Sequence, residues 1–254
     1  MEIAMKTHIG CVRQLNEDYY ACTVDENGHV LAIVADGMGG HQAGDVASRM
    51  AVERIVEEFR EPSLLLTSED EREKLMNSVL QANEEVFRYA ESHPECSGMG
   101  TTVVASIMDT KGGAIAHIGD SRIYLYENGV LTQRTQDHTL VQELVRNGQI
   151  TLEEAAFHPQ RNVIMRALGT EETVRVDLGE FTWTNGDVLL LCSDGLSGKV
   201  PSTVMEKWLK EPISLQEQVD ALVQFALDAG GEDNITCVAV RNIAKPVDVC
   251  WKEG

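Results

Sequence analysis

The chain has 254 residues, 43% hydrophobic and 24% charged, the profile of a folded globular protein with room for one large domain or two small ones. Its 41 acids against 21 bases give a formal charge of −20, a field that opposes binding to nucleic acid and insertion at anionic membranes. No apolar run approaches the length of a membrane span, and the N-terminal stretch lacks the apolar core of a signal peptide.

In chain order, "RQLNED" (13–18) leads into a strand-like run that ends at Asn27-Gly28, and "HVLAIVA" follows. Asn-Gly readily takes the positive φ angles of a type I′ turn, so the two runs read as an antiparallel hairpin. A helix is expected over 42–59, where Ala43, Val46, Ala47, Met50, Ala51, Ile55, Val56 and Phe59 form an apolar stripe. Ser68 with Glu71 makes a capping box for a second helix running to about Ser92. "GTTVVASIMD" and "GGAIAHIG" supply another strand pair, and Asn128-Gly129 a second hairpin turn. Asp137 reads as the N-cap of a helix that ends near 146–148. The stretch 148–170 has weak strand character and reads as an insertion over the surface. Asn185-Gly186 reads as a third hairpin turn. "GDVLLLCS" and "NITCVAVRN" are late strands, with helices over 202–210 and 215–229.

Paired helices interleaved with hairpins imply an α+β fold, antiparallel sheets covered by helices. No Pro/Ser-rich linker interrupts the chain, so 1–254 is expected to form a single domain. The six cysteines (Cys11, Cys22, Cys96, Cys192, Cys237, Cys250) contain no C-x-x-C pair, which argues against a zinc site or a disulfide framework. Cys192 and Cys237 lie in apolar runs and read as buried thiols, and a cytoplasmic location is expected.

"VLAIVADGMGG" (30–40) is echoed by "VLLLCSDGLSG" (188–198): each apolar strand reaches Asp-Gly at the same offset. Asp120 in "AHIGDSRIY" and Asp233 in "GGEDNITCVAV" also flank strands, and Glu17 and Asp18 precede the first of the hairpins. Any one of these alone reads as a turn aspartate. Together they could meet at one edge of two facing sheets. Converged carboxylates raise one another's pKa unless cations lie between them, and hard divalent ions such as Mg²⁺ or Mn²⁺ suit oxygen donors.

Seven segments, "RQLNED", "VADGMGG", "GMGTT", "HIGDSRIY", "LTQRTQDHTLVQELVRNGQI", "SDGL" and "GGEDNIT", occur in an order that resembles the metal-dependent protein phosphatase (protein phosphatase 2C) family, bacterial branch, along nearly the whole chain. The resemblance implies a four-layer α-β-β-α sandwich, two antiparallel sheets flanked by helix pairs. It implies hydrolysis of phosphoserine and phosphothreonine by a water shared between two Mn²⁺ or Mg²⁺ ions. Asp36 would bridge the ions, the Gly37 carbonyl would serve one, and Asp194 and Asp233 would complete the other. Glu17 matches the family's acidic position near the metals and Asp18 its supporting neighbour. Asp120 with Asp194 matches a third, weaker metal site, and Asn234 would orient groups around Asp233.

Arg13 matches the family's phosphate clamp, with a surface salt bridge to a nearby acid as the alternative. Many eukaryotic relatives carry a histidine where this chain has Met38, and that histidine is the usual proton donor to the leaving oxygen. His41 is the candidate general acid in its place; a helix-start role for His41, or a metal-bound water as the acid, are the alternatives. His138 is expected to be structural or capping. His158 and Arg161 fall in the insertion, which corresponds to the family's variable flap. The expected partners are phosphorylated proteins, above all a serine/threonine kinase and its substrates. Alternatives are a phosphatase of other phosphoryl substrates, or an inactive metal-binding regulator on the same fold.

Overall fold

The computed structural model describes residues 1–39, 43–61 and 67–243. Strands β1 (Glu2–His8), β11 (Ile235–Arg241), β10 (Val188–Cys192), β7 (Arg122–Glu127) and β8 (Val130–Gln133) form one antiparallel sheet in that order. The other has the order β2 (Asp18–Val24), β3 (Val30–Met38), β5 (Val103–Met108), β6 (Gly112–Ile118), β9 (Asp177–Thr182), with the short β4 (Gly100–Thr101) pairing to β3.

The central strands are apolar on both faces, because each is packed between a sheet and a helix layer. In β3, Val30, Ala32 and Val34 face the other sheet, where they meet Ile123, Leu125, Leu189, Leu191, Val238 and Val240. The alternate residues Leu31, Ile33 and Ala35 pack under α1 (Ala43–Arg60) and α2 (Ser68–Ser92). In β10 the same period sends Val188, Leu190 and Cys192 toward α6 (Ser202–Lys210) and α7 (Leu215–Asp228). Burying a side chain the size of Leu or Ile contributes roughly 1.5–3 kcal/mol, so these alternating rows hold the four layers together. The expected α-β-β-α sandwich is the observed architecture.

Of the three Asn-Gly turns, Asn128-Gly129 alone has both residues at positive φ (52° and 81°), the type I′ geometry that joins β7 to β8. Asn27-Gly28 does join the β2–β3 hairpin, but only Gly28 has positive φ; the Asp25 carboxylate caps the turn by accepting from the Asn27 and His29 amides. Asn185-Gly186 is not a hairpin turn: it carries the chain from β9 in one sheet to β10 in the other. Asn-Gly sets a local bend and says nothing about which sheet the next strand joins.

Two helix starts also differ from expectation. The capping box of α2 is Thr67 with Asp70, one residue earlier than Ser68 with Glu71. The helix α3 (Leu140–Arg146) is capped by Thr139, not Asp137. Asp137 is held elsewhere, accepting from Arg122 Nε at 3.0 Å and Nη2 at 2.7 Å, a charged fork stronger than a cap. Within 148–170 the structure forms only a short capped helix, α4 (Leu152–Ala156). Cys192 and Cys237 are buried free thiols; Cys250 lies outside the described residues.

Candidate active site

The antiparallel order places the start of β2, the end of β3, the end of β6, the end of β10 and the start of β11 at one rim of the sandwich. Asp18 and Asp36 are directly paired across the β2–β3 ladder. Asp120 lies in the turn from β6 to β7, Asp194 opens the short helix α5 (Asp194–Ser197) just after β10, and Asp233 lies just before β11. The two sheets are stitched at this rim. Ser193 Oγ donates to Asp18 Oδ2 at 2.8 Å and accepts from the Thr236 amide at 3.0 Å. Asn234 Oδ1 accepts from the Glu17 amide at 2.8 Å, while its Nδ2 donates to the Ile9 and Leu15 carbonyls.

Asp36 is held by its backbone. Its amide donates to Thr102 Oγ1 at 3.1 Å, and its carbonyl accepts from the Thr102 amide and from Thr101 Oγ1, both at 2.9 Å. Both Asp-Gly steps need glycine: a Cβ at Gly37 would collide with the Gly44 carbonyl, and one at Gly195 with the Asn234 carbonyl. The close backbone approach fixes where each Asp-Gly step sits at the rim.

The cost of that convergence appears in the proton affinities. Burial, then the neighbouring acids Asp18, Asp194 and Asp120, holds Asp36 well above the carboxylate range. Asp18 is pushed up to about 7 by burial, against the opposing bonds from Thr236 and Ser193. Asp120 is likewise raised to about 7 by burial and Asp194. Burial and Asp233 raise Asp194, and burial raises Glu17. Asp18 Oδ1 and Asp120 Oδ1 are buried without a hydrogen-bond partner. An oxygen-only donor set, mutually repelling, with unused buried lone pairs, fits hard divalent cations.

Arg13 sits at the mouth, half exposed, with Nη2 donating to Asp233 Oδ2 at 2.8 Å. In this structure it is therefore the ion pair with a nearby acid, placed where it could also reach an anion. Met38 ends β3 and offers no proton. His41 lies outside the described residues. His158 is half-buried and Arg161 exposed; Glu232 is held below its ordinary value by the Lys199 ammonium first and by Arg161 last, which sets Arg161 near the loop that carries Asp233. His138 is buried away from solvent, bonded to Gly119. A cavity of about 500 Å³ lined by His29, Glu71, Lys111 and Arg134 opens at the other end of β3 and shares no residue with the acids.

Sequence reading missed the supports Thr101, Thr102 and Ser193. Thr101, Thr102 and Ser193 lie inside the quoted motifs, next to the strand ends, which was the available signal. It also missed Asp45 in the first turn of α1, whose Oδ1 is buried and unpartnered and whose charge raises the pKa of Glu17.

Residues 8–234 match the family described as protein phosphatase 2C. This chain belongs to that family. It is 45% identical over 241 residues to the serine/threonine phosphatase stp of Listeria monocytogenes, covering 95% of this chain and 96% of that protein. Among solved structures, the serine/threonine phosphatase PstP/Ppp of Mycobacterium tuberculosis is similar with a TM-score of 0.87 and 38% identity, over 96% of this chain and 99% of that one. A PstP catalytic domain in complex with two manganese ions matches with a TM-score of 0.84 and 36% identity, over 96% of this chain and 98% of that one. The rim acids of this protein phosphatase 2C member are thus presented by the same fold that holds two manganese ions in a relative.

Proposed function

We propose that this chain is a metal-dependent phosphoprotein phosphatase that hydrolyses phosphoserine and phosphothreonine esters. The observation that carries the reading is the convergence of Asp18, Asp36, Asp120 and Asp194, from both sheets, into a buried rim where each carboxylate resists ionising. Asp36 and the Gly37 carbonyl, supported by Glu17 and Asp18, would hold one ion; Asp36, Asp194 and Asp233 would hold the other. Asp120 with Asp194 would hold a third, more weakly. Bound Mn²⁺ or Mg²⁺ would supply Lewis acidity, lowering the pKa of a shared water and offsetting the charge of the phosphate.

The chain's own groups do the rest. The Arg13 guanidinium leaves Asp233 to grip two phosphate oxygens, orienting phosphorus toward the rim and freeing the carboxylate. Thr102 and Asn234 hold the Asp36 and Glu17 backbones, so the acids stay in place when charge changes between them. Met38 excludes a side-chain proton donor at its position, which leaves His41 or a bound water to protonate the departing serine or threonine oxygen. Residues 148–170 act as a flap at the rim of this catalytic domain. The physiological substrates are proteins phosphorylated by a bacterial serine/threonine kinase in the cytoplasm, the kinase itself included.

The test is release of phosphate from an autophosphorylated serine/threonine kinase. Mn²⁺-dependent release that is abolished in a folded Asp194→Asn variant supports the reading. Undiminished release in excess chelator contradicts it.

A further inference from the structure

His138 is occupied at four polar atoms. Its amide donates to the Gly119 carbonyl at 2.9 Å, and its Nδ1 accepts from the Gly119 amide at 3.1 Å. Both bonds close on the residue immediately before Asp120. Its carbonyl accepts from the Met165 amide at 2.7 Å, and the Leu140 amide, two residues on, donates to the Val163 carbonyl at 2.9 Å, so the returning arm of the flap is fastened to the same segment.

Because Nδ1 accepts an N–H, the neutral ring carries its proton on Nε2. Nε2 donates to Asp177 Oδ2 at 3.2 Å, and Arg166 Nη1 holds Oδ1 of the same carboxylate at 3.2 Å. The ring also lies against His117, with centroids 4.2 Å apart. Asp177 therefore selects the tautomer whose free lone pair faces Gly119. His117, His138 and Asp177 bring ligand atoms within 4.8 Å of one another, a spacing that could suggest a metal of its own. The Nε2–H, which points away from any ion, and the cationic Arg166, whose Nη1 lies 3.2 Å from Nε2, already occupy that space.

The Asp120 carboxylate has little else to aim it. Its Oδ1 is buried without a partner, and the hydrogen bond that lowers its pKa comes from its own backbone. The orientation of the carboxylate is therefore the orientation of the Gly119–Asp120 peptide. We infer that His138 is a positioning residue: held by Asp177 and Arg166, its ring fixes the Gly119–Asp120 turn, and with it the aim of the Asp120 carboxylate toward a divalent ion.

This inference rests on the proposed metal centre, and its test separates the two. Mn²⁺ would be titrated into the metal-free full-length protein, with free ion followed by electron paramagnetic resonance and folding by thermal denaturation. The wild type is expected to take up a tight pair and a weaker further ion. His138→Gln can offer a donor to Asp177 but no acceptor to Gly119; it should weaken the further ion about tenfold and leave the tight pair unchanged. His138→Asn places Oδ1 where Nδ1 was and should restore that affinity to within about twofold. Equal affinity in all three proteins overturns the assignment, as does equal loss in both variants. Loss spread over every ion together with a lowered melting temperature makes His138 a structural residue and also overturns it. A wild type that binds no Mn²⁺ defeats the metal centre itself, and this inference with it.

Discussion

Asp18 offers a quantitative test of the buried acidic rim, because one substitution removes its charge and little else. Its side chain is 6% exposed, and an asparagine in its place could keep the bond from Ser193 Oγ through the amide oxygen. The carboxyl's pKa rises from 3.8 to about 7, mainly through burial. Below the lower value both folded and unfolded chains are protonated and nothing depends on pH. Between the two values the unfolded chain releases the proton while the folded chain keeps it, so stability falls as pH rises. Above 7 the loss is complete, at most about 4 kcal/mol for a gap of this size. The assay is urea denaturation in chelator at steps from pH 4 to 8. The wild type should lose stability across that range. Asp18→Asn should lose markedly less, keeping the residual slope that Asp36, Asp120 and Asp194 impose, and should be the more stable protein at pH 8. Identical slopes in the two proteins would refute the argument that Asp18 is a strained, uncompensated carboxyl in the metal-free state.

Two further outcomes follow from the same geometry. Arg13→Ala removes the phosphate fork and should lower kcat/KM on a phosphopeptide about 100-fold, with Arg13→Lys recovering only part, as steady-state kinetics will show. Asn234→Ala strips partners from the Glu17 amide and the Ile9 and Leu15 carbonyls at once. It should cost about 2–3 kcal/mol by chemical denaturation, and weaken Mn²⁺ binding as well.

The layers of this fold were legible because strand and helix periods are local. The alternation of Leu31, Ile33 and Ala35 against Val30, Ala32 and Val34 is written in one stretch, and the echo at Val188 to Cys192 repeats it. The acids were legible for a related reason, since each lies at or beside a strand end. Errors arose where a local signal was overruled from a distance. Asp137 has every mark of an N-cap, yet Arg122 takes it. Asn185-Gly186 bends the chain as a hairpin would, but the next strand belongs to the facing sheet. Thr67 and Ser68 are each followed three residues on by an acid, and nothing local ranks them. The ties from Asn234 to Glu17 and from His138 to Asp177 span 217 and 39 residues and leave no local trace. Arg13 was readable as clamp or ion pair; the structure shows it paired with Asp233.

The central claim is that the rim acids exist to hold divalent ions, and stoichiometry tests it most directly. Equilibrium dialysis of the metal-free protein against micromolar Mn²⁺, followed by elemental analysis, should find at least two ions per chain. Asp36→Asn, verified as folded by circular dichroism, should retain fewer than one. Two ions retained by Asp36→Asn, or none bound by the wild type, would contradict the account.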